Sequence, residues 1–225
     1  MKKHIPLLFT VFGFIILMGM GTWQVQRLQW KTELISLITT RMNEKPITLA
    51  QFENPNVDEY RLITVTGTYD HAKEMQIIGR PFNGKPGIHV ITPMQTEKGI
   101  ILINRGWAKY EEPYTKPEGT QTVTGIIRKT QARNFLSRHI TMDNKPEQNL
   151  WFYADLDQMY QHTKAPNPAF YIELSGDEVP NSYPYALPKE IKLYNEHLTY
   201  AISWYSLGVA LLLTYYFRFH RQSRK

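Results

Sequence analysis

The chain has 225 residues, no cysteine, 26 Lys and Arg against 20 Asp and Glu, and 13% aromatic residues. This is the length of one globular domain with or without membrane anchors, and it is too apolar for a disordered chain. A cysteine-free sequence excludes a disulfide framework, thiolate metal sites, a CxxC redox motif and a cysteine nucleophile.

The first predicted element is an uncharged apolar run over residues 5–26. As a helix rising about 1.5 Å per residue it crosses a hydrocarbon core of ~30 Å. A cleaved signal peptide is the competing reading. The run is longer than a usual h-region, has no A-x-A site and passes into a Trp-rich segment, so a retained anchor is expected. A run starting at Ile5 leaves no room for a mitochondrial transit peptide, which favours a bacterial plasma membrane. The segment GTWQVQRLQWK (residues 21–31) continues the helix out of the membrane. Trp23, Arg27, Trp30 and Lys31 fall on one face, where headgroups or a partner protein can meet them. A lipid interface accounts for the Trp and basic residues, but it does not require Gln24.

Pro46, Pro55 and the polar stretch 54–58 mark the entry to an outer domain. Short runs of strand character follow at 61–69, 75–78, 88–94, 99–104, 122–128, 151–153 and 169–174, with Gly and Pro between them. The expected fold is a membrane protein with two transmembrane helices flanking a mainly antiparallel β domain, a small barrel or sandwich of α+β type. Asp155 caps one short helix reaching about His162, with Gln158 in the capping-box position. Residues 175–191, with Pro180, Pro184 and Pro188, are expected to return to the membrane as an extended linker. A second uncharged run over 198–217 is the second membrane helix. The resulting division is 1–4, 5–23 (first span), 24–196 (outer domain), 197–217 (second span) and 218–225 (basic tail).

Charge placement orients this arrangement. All 20 acidic residues lie from Glu33 to Glu196, and the basic excess sits at the ends, in Lys2, Lys3, Arg218, Arg221, Arg224 and Lys225. The positive-inside rule puts both termini in the cytoplasm and the middle on the outer, periplasmic face. The excess is therefore topological, with no basic stripe for phosphates, and nucleic-acid binding is not expected.

Most familiar chemistry is missing. GRPFNGK (79–85) matches the start of a phosphate-binding loop, but Pro86 stands where Ser or Thr would hold Mg²⁺, so a hairpin turn is expected. WYSLG (204–208) lacks the first Gly of a nucleophile elbow. None of the seven histidines makes an HxH, HxxxH or HExxH pair. Met18 and Met20 suit packing better than copper. His197, which opens the second run, is the exception. It shares a helical face with Tyr200, Ala201, Trp204 and Gly208: a nitrogen ligand at the rim, flat aromatics, then small residues. Such a face suits a planar cofactor with a metal centre, and His is a common haem ligand. On residue types alone, an interfacial histidine bonded to water or headgroups is the simpler account.

Several motifs occur together in order: GTWQVQRLQWK (21–31), VTGTY (65–69), Arg80-Pro81, GIHVITP (87–93), INRGW (103–107), WFYAD (151–155) and NEHLTYAISWY (195–205). In this set the chain resembles the Surfeit locus protein 1 family, the cytochrome c oxidase assembly factors, over nearly its full length. It reads as a bacterial-type member. Glu196 and Ser203 depart from the family's Asn and Thr, and an ionised Glu196 would favour the charged form of its neighbour His197.

The resemblance implies a non-enzymatic role in maturing the haem–copper oxidase, chiefly by helping haem a into subunit I. His197 is then the candidate axial ligand, Tyr200 and Trp204 the walls of the ring, and Arg80 or Arg105 candidates for a propionate. Arg105 could equally brace the barrel. Trp23, Arg27, Trp30, Trp107 and Gly208 are candidate partner-binding residues. Expected partners are oxidase subunit I, a haem a synthase and the lipid bilayer. The alternative is a scaffold that grips subunit I or the synthase without touching haem.

Overall fold

The computed structural model describes residues 4–130, 142–175, 183–187 and 194–219. Lys2, Lys3, His139, Pro180, Pro188, His220, Arg221, Arg224 and Lys225 lie outside them, as does most of the expected linker. In chain order the elements are α1 (His4–Asn43), β1 (Ile47–Thr48), α2 (Pro55–Asp58), β2 (Leu62–Tyr69), β3 (Met75–Ile77), β4 (Gly87–Thr96), β5 (Gly99–Lys109), β6 (Thr120–Arg128), β7 (Leu150–Trp151), α3 (Leu156–Thr163), β8 (Tyr171–Leu174) and α4 (His197–Phe219). The chain divides into two compact units, Met1–Leu37 with Lys192–Lys225, and Ile38–Ile191.

The first unit is a helix pair. Both α1 and α4 are long and apolar enough to cross a membrane, and they expose large apolar side chains such as Leu8, Phe9, Phe12, Leu198 and Val209 outward. A water-facing helix would not do this along its length; a lipid-facing one must. Four hydroxyl side chains on these helices turn back on their own backbone. Thr10, Thr22, Ser203 and Thr214 each donate to the carbonyl four residues earlier, at 2.8–2.9 Å. Helix α1 runs beyond the expected exit at Lys31 to Asn43. Leu34, Ile38 and Met42 continue a helical spacing of apolar residues, and Pro46 stops it.

The second unit is a closed barrel. Strand β2 pairs with β6, β6 with β8, β8 with β5, β5 with β4, and β4 returns to β2 through Gly67–Tyr69. At that closing seam a side chain on Gly67 would lie 2.3 Å from the Gln95 carbonyl, so only glycine lets the strands meet. Strands β1, β3 and β7 extend the sheet. The expected mainly antiparallel fold stands, with three short parallel pairings, β1–β2, β3–β7 and β5–β8.

Alternation along the strands makes two cores. Ile63, Val65, Ile101, Ile103, Ile127, Ile172 and Leu174 fill the barrel. Leu102 and Tyr171, on the opposite face of the same strands, pack with Met75, Trp151, Leu156, Met159 and Tyr160 beneath α3. On the solvent side, Thr64 and Thr66 of β2 bond across to Thr124 and Thr122 at 2.8 Å each. Asp155 caps α3 by accepting from the Gln158 amide at 3.1 Å, as expected. The reciprocal arm of the box is absent, because the Asp155 amide bonds Tyr153 instead.

Two expectations are corrected. The strand expected over 99–104 runs on to Lys109, so the INRGW segment lies inside β5. The register jumps between Val90 and Ile91, leaving Arg105 as the extra residue of a bulge, and Gly106 takes φ +114°. Residues 183–187 are not a free linker either. Tyr185 exchanges two 2.7 Å backbone bonds with Trp107, and the Lys109 amide donates to the Tyr183 hydroxyl at 2.7 Å. A side chain on Gly106 would strike the Tyr185 carbonyl, so the bulge glycine makes room for this strap.

Candidate functional site

The helix pair is assembled from small residues. Gly208 of α4 lies under the Met18 methyl and the Phe14 ring of α1, and Gly21 of α1 lies under the Tyr205 ring. Thr22 and Tyr205 share a 3.2 Å hydroxyl bond. Further along, Asn195 donates to Thr32 at 3.3 Å and Lys31 donates to the Tyr194 carbonyl. Partners rise along one helix as they fall along the other, so the two run antiparallel. Ala201 is fully enclosed in the same seam.

At the first residue of α4, on this seam, stands His197. Its Nδ1 lies 2.6 Å from the Oε1 of Gln24, which is only 8% exposed. An amide oxygen can only accept, so this contact fits the tautomer with its proton on Nδ1. The neutral ring then keeps its lone pair on Nε2. Two turns on, Trp204 is half-buried with its indole Nε1 enclosed and without a hydrogen-bond partner. Tyr200 is largely exposed. A single imidazole, two turns along one helix from an indole N–H without a partner, is a poor site for a bare metal ion, and no group of three or more His, Cys, Asp or Glu gathers among the described residues. It suits a porphyrin, which brings its own equatorial nitrogens and needs one axial ligand.

The other sequence-derived candidates fall in three places. Trp23 and Trp30 are half-exposed on α1, with the Arg27 guanidinium 4.7 Å from the Trp30 ring centre. Gly208 faces α1, so its close-packing surface is used within the chain. Arg80, Arg105 and Trp107 belong to the barrel unit.

In that unit, Arg105 is buried and committed. It pairs with Glu74 at 3.3 Å, donates to the Thr115 carbonyl and sits 5.3 Å over the Tyr69 ring. Glu74 also accepts from Thr92 at 2.9 Å and Tyr114 at 2.6 Å. Burial raises the Tyr69 hydroxyl to about 12. The Trp107 indole donates to the Arg80 carbonyl at 2.6 Å and its ring stacks on Tyr185. Arg80 reaches the Phe152 carbonyl at 3.5 Å, and its Nε is buried without a partner. Asn83 and Gly84 both take positive φ between paired Phe82 and Lys85, which makes GRPFNGK the expected hairpin turn.

Sequence reading missed Gln24 as a partner of His197. The signal was thin: Gln24 is the first of three carboxamides, with Gln26 and Gln29, where α1 leaves its apolar run, and a lipid interface does not require it.

A family model described as the SURF1 family matches residues 11–209. The chain belongs to the SURF1 family. It is 33% identical to the Surfeit locus protein 1 of Rattus norvegicus, over 91% of this chain and 72% of the rat protein. It is 33% identical to that of Homo sapiens, over 90% of the chain and 74% of the human protein. With the Takifugu rubripes protein the identity is 35%, over 89% of the chain and 91% of the fish protein. The match covers most of α1, the barrel unit and the first half of α4.

Proposed function

We propose that this SURF1-family protein assists assembly of a haem–copper (cytochrome c) oxidase by holding haem a for insertion into subunit I. The observation that carries the reading is the His197–Gln24 bond, which leaves Nε2 of His197, the first residue of α4, with its lone pair. His197 would ligate the iron, Tyr200 and Trp204 would wall the ring, and the unused Trp204 indole N–H would donate to a polar substituent on it. The haem is cargo. The protein binds and orients it, and no catalytic group is required.

The protein is membrane-anchored through its two apolar helices. The basic residues flanking those helices support a bacterial inner-membrane location with both ends in the cytoplasm and the barrel unit in the periplasm. A haem a synthase upstream and oxidase subunit I downstream are the partners this role requires.

The test is co-expression with a haem a synthesis pathway, purification in mild detergent, and absorption spectra of the wild type and His197→Ala. The expected result is a haem a band in the wild type that the variant loses. A colourless wild type from membranes that contain haem a would sink the reading. It would leave a scaffold that grips subunit I or the synthase through surfaces such as Trp23, Arg27 and Trp30.

A further inference from the structure

We propose that Gln24 is a positioning residue that sets the tautomer of His197 and thereby presents Nε2 as the ligand nitrogen. This rests on the haem-binding reading above and names the group that prepares the site. A neutral histidine in water prefers its proton on Nε2, the atom that has to be bare to ligate. Reversing that preference takes an acceptor at Nδ1 whose position is fixed. Gln24 supplies one at 2.6 Å and is itself buried between the helices. In a low-dielectric environment such a bond is strong, and breaking it strands a buried amide.

The bond also holds the ring in rotation, because Gln24 and His197 sit on different helices whose spacing is set by Gly21 under Tyr205 and Gly208 under Met18. Histidine ligands in metal sites commonly donate their second N–H to a carbonyl or carboxylate, which raises ligand basicity, and loss of that partner weakens metal affinity by about 10–100-fold. Gln24 makes that contact in the structure. Glu196, adjacent in sequence, bonds Thr199 at 3.4 Å instead.

The test compares the full-length wild type with Gln24→Leu and Gln24→Glu in detergent. Apoprotein labelled with ¹⁵N-histidine reports the tautomer. Ferric haem a titrated into each apoprotein reports affinity, and a redox titration of the loaded protein reports the potential. The wild type is expected to carry its His197 proton on Nδ1. Gln24→Leu should move it towards Nε2, weaken haem a binding by about 10–100-fold and raise the potential. Gln24→Glu keeps an acceptor in place, so it should retain haem and lower the potential. Equal affinity, spectra and potential in wild type and Gln24→Leu would overturn the positioning role and leave the haem reading standing. A wild type that takes up no haem a would remove the haem reading, while the nitrogen spectrum would still decide the tautomer: a proton on Nε2 of wild-type His197 refutes the role of Gln24 outright.

Discussion

Glu74 shows what one residue does for the barrel. Its carboxylate is buried with Arg105 at 3.3 Å, Thr92 at 2.9 Å and Tyr114 at 2.6 Å, and Lys116 stands 3.7 Å away at the surface. Glu74→Gln keeps the shape and removes the charge, leaving the Arg105 guanidinium enclosed without its counter-ion. Breaking a buried pair from one side costs about 3–5 kcal/mol. Lys116→Ala, which removes an exposed partner, should cost under about 1 kcal/mol. Urea unfolding followed by tryptophan fluorescence checks both, and equal losses would refute this division. His89 carries a pH dependence. Burial, then the Arg80 charge, hold its pKa down at about 4 against 6.5. The unfolded chain takes up a proton near pH 6.5 while the folded chain does not until about pH 4. Its contribution is therefore full above pH 6.5 and is lost as the pH falls towards 4, by about 3 kcal/mol at most. Glu173, raised by burial from 4.5, acts in the opposite sense: its contribution is full below pH 4.5 and lost as the pH rises. The readout is thus the difference in unfolding free energy between wild type and His89→Gln, which should shift by up to about 3 kcal/mol in the variant's favour as the pH falls from 6.5 to 4, because only the wild type carries this slope; a difference that stays constant with pH would refute it.

Among the elements, the helix pair depends on two glycines that are not equivalent. A side chain on Gly21 meets the stiff Tyr205 ring at 2.6 Å, whereas one on Gly208 meets the mobile end of Met18 at 2.5 Å. Gly21→Leu should separate the helices and Gly208→Ala should be absorbed by a new Met18 rotamer. The chain has no cysteine, so Thr32→Cys with Asn195→Cys gives a clean crosslink between α1 and α4. Its yield should fall several-fold with Gly21→Leu and hold with Gly208→Ala; the reverse order would refute the packing argument. The same elements show what a sequence can carry. Uncharged runs, short stretches of strand-forming residues between Gly and Pro, and the Asp155 cap are local signals, and they located both apolar helices, seven of the eight strands and α3. Strand β1, two residues long, has no periodicity to read. The β5 bulge at Arg105 and the strap at Tyr185 depend on what lies opposite them in space. His197 was legible because it opens an apolar run. Gln24 was visible as a misfit, but its purpose requires the antiparallel pairing that places residue 24 beside residue 197.

At the scale of the whole molecule, the two units keep separate cores. Every strand pairing and both large apolar clusters lie within Ile38–Ile191, and the His197–Gln24 bond lies within the other unit. The barrel closes through β4 and β2, which leaves the two-residue strands β1 and β7 as the ends of the sheet, and α3 is fastened from inside by Tyr160. That hydroxyl accepts from the Leu102 amide and donates to the Phe170 carbonyl, each at 3.0 Å. A fragment comprising residues 38–191 should therefore fold without the helix pair, with a β-type circular dichroism spectrum and one cooperative thermal transition. Tyr160→Phe leaves a buried amide and a buried carbonyl unpaired, at a cost of about 1–3 kcal/mol. It should lower the transition by the same amount in the fragment and in the full-length protein, and leave the helix crosslink yield unchanged. A fragment that stays unfolded, or a Tyr160→Phe loss that appears only in the full chain, would mean that the barrel draws its stability from the helices and that the units are not independent.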